Sequence, residues 1–132
     1  IERRPMSEKT VLVVDDSRLA RNIFKRVLKS VEPDWLVEEA DGAHAAMEIV
    51  GAKLIDHAFL DVNMPHIDGL ELGRMIRARL PDLPITFVTA NVQASTEEAA
   101  SQIGATVVAK PLDEAKLWGV MMETGLGSGG LV

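Results

Sequence analysis

The 132-residue chain contains no cysteine, which excludes disulfides, thiolate zinc sites and cysteine nucleophiles. Long apolar runs are missing as well. The longest, such as Val11 to Val14, reach about four residues, where a membrane helix needs about 20. The first residues, Ile1 to Met6, are charged and lack the apolar stretch of a signal peptide. Positive charge is in the minority. Fourteen Lys and Arg against 20 Asp and Glu leave a net charge of −6, which argues against a protein that works by neutralising nucleic-acid phosphates. These absences point to a soluble, cytoplasmic chain that engages neither nucleic acid nor membrane. What is present suits one globular domain: 47% hydrophobic and 26% charged residues, in a length that can bury a core without staples.

Short β-branched runs alternate with amphipathic stretches. Val11 to Val14 runs into Asp15, Trp35 to Ala40 follows, and Ala58 to Leu60 ends at Asp61. Ile85 to Val88 comes after Pro84, and Thr106 to Ala109 precedes Lys110. Continuous apolar runs indicate strands buried on both faces, as in a parallel sheet. The intervals read as helices. Ser17 is the expected N-cap of the first, with Ala20, Ile23, Phe24, Val27, Leu28 and Val31 as one apolar stripe. Asp41 is the expected cap of the second, which has Ala45, Ala46, Ile49 and Val50 inward and Gly51 at its end. The third spans Gly69 to Leu80, buries Leu72, Met75 and Ile76, and stops at Pro81. A fourth covers about Gln93 to Ile103, and Asp113 caps a fifth with Leu117, Val120 and Met121 inward. Five strand–helix alternations predict a doubly wound α/β domain over residues 10–124. Residues 1–9 read as a leader or tag remnant. Residues 125–132, with four glycines and no charge, read as a flexible tail.

Ligands of open parallel sheets bind at the carboxyl ends of the strands. Those ends carry Asp15 and Asp16, Asp61, Thr89, and Lys110-Pro111. Three carboxylates so close resist joint ionisation. A divalent ion together with Lys110 brings the formal sum to zero, and Mg²⁺ fits best, since it accepts one or two carboxylates, waters and phosphate oxygens. An ionised aspartate beside such an ion can attack phosphorus and form an aspartyl phosphate. Lys110, Thr89 and backbone N–H groups would then cover the remaining phosphoryl oxygens, as phosphoryl transfer requires.

Four motifs carry a family resemblance: Val-Leu-Val-Val-Asp-Asp-Ser (11–17), Phe-Leu-Asp-Val-Asn-Met-Pro-His-Ile-Asp-Gly (59–69), Val-Thr-Ala (88–90) and Ala-Lys-Pro-Leu (109–112). With them the chain resembles the CheY-like response-regulator receiver domains over about Thr10 to Thr124. The resemblance implies the flavodoxin-like strand order 2-1-3-4-5. It makes Asp61 the phosphoacceptor, with Asp15, Asp16 and the backbone carbonyl of Asn63 holding Mg²⁺. Thr89 becomes the hydroxyl that moves to the phosphoryl group and Lys110 its ion-pair partner, with a cis Lys110-Pro111 bond. A histidine kinase is the implied phosphodonor. The fourth helix, fifth strand and fifth helix are the implied output face toward a downstream protein partner, with the domain expected to be a monomer. Asn63 and Asn91 fall where such domains tune hydrolysis of the phosphoryl group. One departure stands out. Similar proteins often carry Tyr or Phe three residues before the lysine, and here that residue is Val107, so coupling to output is the part put in question.

The remaining candidates read structurally. Asp68-Gly69 is a turn entering the third helix, and Met64-Pro65 shapes a loop. His44 is the one histidine placed as a phosphohistidine carrier would need, but it reads as a surface residue. His57 falls at a strand start, and His66 lies in the loop after Asp61, where it reads as a loop residue rather than a modulator of docking. Trp35 and Trp118 read as packing residues, and Met47, Met75, Met121 and Met122 as core or edge fillers. Two other functions compete with the stand-alone signalling module. One is a receiver excised from a larger kinase or regulator. The other is an aspartate-nucleophile phosphohydrolase, disfavoured by the adjacent acidic pair and the short loops.

Overall fold

The computed structural model describes residues 8–124; the expected leader (residues 1–7 of it) and the glycine tail lie outside the described residues. Five strands alternate with five helices: β1 (Thr10–Val14), α1 (Arg18–Val31), β2 (Leu36–Ala40), α2 (Ala43–Ala52), β3 (His57–Asp61), α3 (Gly69–Arg79), β4 (Ile85–Thr89), α4 (Ala94–Gln102), β5 (Thr106–Ala109) and α5 (Glu114–Thr124). All strand pairs are parallel, in the order β2-β1-β3-β4-β5.

Two cores result, one on each face of the sheet. Phe24 and Leu28 of α1 and Leu117, Val120 and Met121 of α5 cover Val11, Val13, Phe59 and Val88. On the other face, Ala46 and Val50 of α2, Leu72 and Ile76 of α3 and Ala100 of α4 cover Leu12, Val14, Leu60 and Phe87. Burial of strands on both faces holds for β1, β3 and β4. It fails for β2 and β5, which are only partly buried because each is a sheet edge with a neighbour on one side.

Helix starts follow side-chain capping where the sequence places an acceptor. Ser17 Oγ accepts from the Ala20 N–H at 3.2 Å, Asp68 Oδ1 from Glu71 at 2.9 Å and Asp113 Oδ1 from Lys116 at 2.8 Å. Asp41 does not cap α2. Gly42 occupies the N-cap with no side-chain bond, so the aspartate stands one residue too early to reach the first-turn N–H groups. Gly51 lies inside the last turn of α2, which continues to Ala52 and is capped by Lys53. β2 begins at Leu36 rather than Trp35, though Trp35 is itself buried. In the α1 stripe Phe24 and Leu28 are buried, but Ile23 stays 43% exposed at the stripe's edge. Trp118 is 37% exposed, so full packing holds only for Trp35.

Candidate functional site

The sheet order sends β2 to one side of β1 and β3 to the other, which creates a topological switch point beyond the ends of β1 and β3. Asp15 follows β1 and Asp61 ends β3, and both are almost fully buried. Backbone bonds hold Asp15 firmly: its N–H donates to the Ala40 carbonyl at 3.1 Å, and its carbonyl accepts from Arg21 Nη1 at 2.6 Å. Its carboxylate accepts from the Ser17 N–H at 2.9 Å, so the residue that starts α1 also orients the first acid.

Lys110 comes from the far side of β4. Its ammonium lies 3.0 Å from Asp15 Oδ2 and 3.2 Å from Asp61 Oδ1, bridging the two buried carboxylates. Carboxylate oxygens of Asp15, Asp16 and Asp61 lie within 4.8 Å of one another, with Asp16 the exposed member. Three carboxylates against one ammonium leave a formal −2, which a divalent cation would balance. The all-oxygen donor set suits a hard ion. These residues could hold a metal.

The charges act on one another. Burial raises the Asp61 pKa above the usual carboxylate range and the Asp15 charge raises it further, while the Lys110 charge and hydrogen bond and the Asn63 backbone N–H pull partly the other way. For Lys110, desolvation alone would lower the pKa. The hydrogen bond and charge of Asp15, joined by Asp61, outweigh it and raise the ammonium above its ordinary value. Lys110 is therefore a fixed positive charge here.

Thr89 ends β4 fully buried, and its hydroxyl is engaged by the backbone of Asn91, accepting from the N–H at 3.3 Å and donating to the carbonyl at 3.4 Å. Asn63 is exposed just beyond Asp61. The Lys110-Pro111 bond is cis, as expected. A cavity of about 360 Å³ opens beside the carboxylates, bordered by Ile23, Phe59, Val88 and Leu112 as well as Asp61 and Lys110.

The response regulator receiver domain family matches residues 11–121, nearly the whole described chain. The chain belongs to that family. Among similar proteins, Response regulator MprA of Mycolicibacterium vanbaalenii is 37% identical over 95 residues, covering 72% of this chain and 40% of that protein. Sensor protein EvgS of Escherichia coli O157:H7 is 36% identical over 104 residues, covering 78% of this chain and 8% of that protein. The receiver thus spans less than half the length of both relatives. Chemotaxis protein CheY4 of Vibrio cholerae superposes with a TM-score of 0.81 at 25% identity, over 89% of this chain and 98% of that one. TrrA of Thermotoga maritima, solved in complex with Mg²⁺-BeF, superposes at 0.77 with 25% identity, over 88% and 98%.

The residues that meet in this candidate site are readable from strand ends, but those that support them are not. Arg21 anchors the Asp15 carbonyl and pairs with Glu39 at 3.0 Å, yet in the sequence it is one of many basic residues of α1. His57 looked like a strand-start histidine and is completely buried. His44, by contrast, lies on the surface, 3.7 Å from Glu48 one turn on. No helix among the described residues is long and apolar enough to cross a membrane.

Proposed function

We propose that Asp61 is the phosphoacceptor of this receiver and that a histidine kinase supplies the phosphoryl group. The observation that carries the reading is the Lys110 bridge between Asp15 and Asp61 at the switch point. An Asp61 oxygen attacks phosphorus, the N–P bond of the donor phosphohistidine breaks, and the freed imidazole nitrogen takes up a proton. Lys110 is placed to exchange one carboxylate contact for a phosphoryl oxygen, and Thr89 can release Asn91 to bond another. Asp15, Asp16, Asp61 and the Asn63 carbonyl would hold Mg²⁺, whose charge keeps the carboxylates ionised and screens the incoming oxygens.

The phosphoryl group then shifts a two-state equilibrium. Moving an active form from a few per cent to mostly populated takes about 2–4 kcal/mol of differential stabilisation. Charge-assisted bonds from Lys110 and Thr89 reach that scale. The output is read by a protein partner on α4, β5 and α5, in the cytoplasm, with the domain acting as a monomer. Since relatives include both a response regulator and a sensor protein many times longer, the same chemistry serves a signalling module or a relay within a larger protein.

The test is incorporation of phosphate from acetyl phosphate. Labelling should require Mg²⁺ and vanish in Asp61→Asn. Undiminished incorporation in that variant would remove the acceptor assignment, and rapid turnover of generic phosphate monoesters would favour a hydrolase instead.

A further inference from the structure

A polar chain, buried at His57 and Thr86 and half-buried at Thr106, crosses three strands on the α1/α5 face. His57 Nε2 lies 2.8 Å from Thr86 Oγ1, and Thr86 Oγ1 lies 2.7 Å from Thr106 Oγ1. His57 and Thr86 are both completely buried, and the His57 ring stacks on Phe59 with centroids 4.2 Å apart. Among the described residues, His57 Nδ1 has no hydrogen-bond partner. A buried N–H without an acceptor is costlier than an unpaired acceptor nitrogen, so the proton belongs on Nε2. His57 then donates to Thr86, which leaves the Thr86 hydroxyl proton free to be given to Thr106. Burial, which pushes the His57 pKa down to about 3, keeps the ring neutral and the direction of its donation constant at neutral pH.

The three residues stand on the strands that deliver the site. His57 is on β3 with Asp61, Thr86 on β4 with Thr89, and Thr106 on β5 just before Lys110. β3 and β4 are buried on both faces and well specified. β5 is not. It has four residues, is half-buried throughout, pairs with β4 alone, and reads Thr-Val-Val-Ala, so its pattern scarcely separates one face from the other. Slippage of such a strand by one residue would carry Lys110 along by about 3.3 Å, enough to break its contacts with Asp15 and Asp61. Thr86 and Thr106 are direct partners across the β4–β5 ladder. Their hydroxyl bond forms in that register and in no neighbouring one, because Val107 or Ala105 would replace Thr106.

We propose that Thr86 and Thr106, with His57 as the terminal donor, are positioning residues that pin the register of β5 and so set Lys110 level with the buried carboxylates. They touch neither the phosphoryl group nor a metal. They act through Lys110.

Thr86→Val removes the middle hydroxyl while keeping shape, and Thr86→Ser restores it. In the full chain, Thr86→Val should speed amide exchange of Val107 and Val108 relative to β1 amides by about tenfold, the equivalent of one lost hydrogen bond. Labelling by acetyl phosphate with Mg²⁺ should fall by a similar factor, and Thr86→Ser should recover both. In the unaltered protein, nitrogen resonances should show His57 protonated on Nε2. Exchange that rises equally in every strand, or not at all, would overturn the pin, and a proton on Nδ1 would overturn its direction. Thr106→Val gives the same readouts should Thr86→Val not fold. The labelling readout rests on Asp61 being the acceptor, whereas exchange and the His57 signature do not, so the two ideas fail separately.

Discussion

Gly69 lies directly against the backbone of Asp61: a Cβ at residue 69 would overlap the Asp61 carbonyl oxygen. The Gly69 N–H also donates to the Val62 carbonyl at 2.9 Å, so the start of α3 is docked on the loop that follows the proposed acceptor. The missing side chain lets a helix end and a strand end share one space. Asp68, the cap of α3, sits next to this contact and fixes the direction in which the helix leaves.

Gly69→Ala should therefore cost about 1–3 kcal/mol or more, the range for forcing extra atoms into a packed site. Urea unfolding measures the loss. Labelling should fall as well, although no group of the acceptor site is removed. Unchanged stability would show that the loop after β3 can shift freely.

Asp61→Asn should make the folded domain more stable at neutral pH. Burial and the neighbouring Asp15 raise the Asp61 pKa, so the folded state holds its proton more tightly than the unfolded state does. Between the ordinary carboxylate value and the raised one, stability falls as pH rises, and the deficit persists above that window. The neutral amide removes it. Unfolding at pH 7 and near pH 3 tests the sign: the gain should be larger at pH 7 and should shrink when Mg²⁺ stabilises the unaltered protein.

His57 supplies an opposite slope. Its pKa falls from 6.5 unfolded to about 3 folded, so the unfolded chain binds more protons between those values. Its contribution to stability is intact above about 6.5 and declines by about 1.4 kcal/mol per pH unit as pH falls toward 3. His57→Gln retains a side-chain N–H donor without the titration. The pH dependence of unfolding between 6 and 4 should be flatter in this variant, and parallel curves would exclude a buried neutral histidine.

Val107→Tyr tests the departure from similar proteins. Val107 borders an open groove of about 420 Å³ with Glu97 and Ser101 of α4 and Glu123 of α5, so a ring has space. The substitution should cost no more than about 1 kcal/mol, the low end of overpacking. Amide shifts induced by beryllofluoride with Mg²⁺ should extend further along α4 than in the unaltered protein. An identical pattern would show that Thr89 and its loop carry the signal without an aromatic.

The alternation of apolar runs and helical stripes was enough to place ten elements within a residue or two, because the β1, β3 and β4 runs are apolar on both faces and Ser17, Asp68 and Asp113 cap as their positions suggest. Asp15, Asp16, Asp61 and Lys110 were legible because each ends or directly follows a strand, where an α/β sheet places its ligands. Edges were less legible. The outer places of β2 and β5 followed from the strand order that the family resemblance implies, with only Glu38 and Glu39 of Leu36–Ala40 as a local sign and none in Thr106–Ala109, and the Asp41 cap failed by a single residue of helix phase.

The amino-acid order by itself determined the elements, the polar residues at their ends and the balance of charge, since these depend on spacing and residue type along one chain. Only the folded molecule decided that Lys110 reaches past β4 to two acids, that the Thr89 hydroxyl rests on Asn91, and that His57 is sealed in a chain of hydroxyls. Those are distances between segments far apart in sequence, and strand order and packing set them.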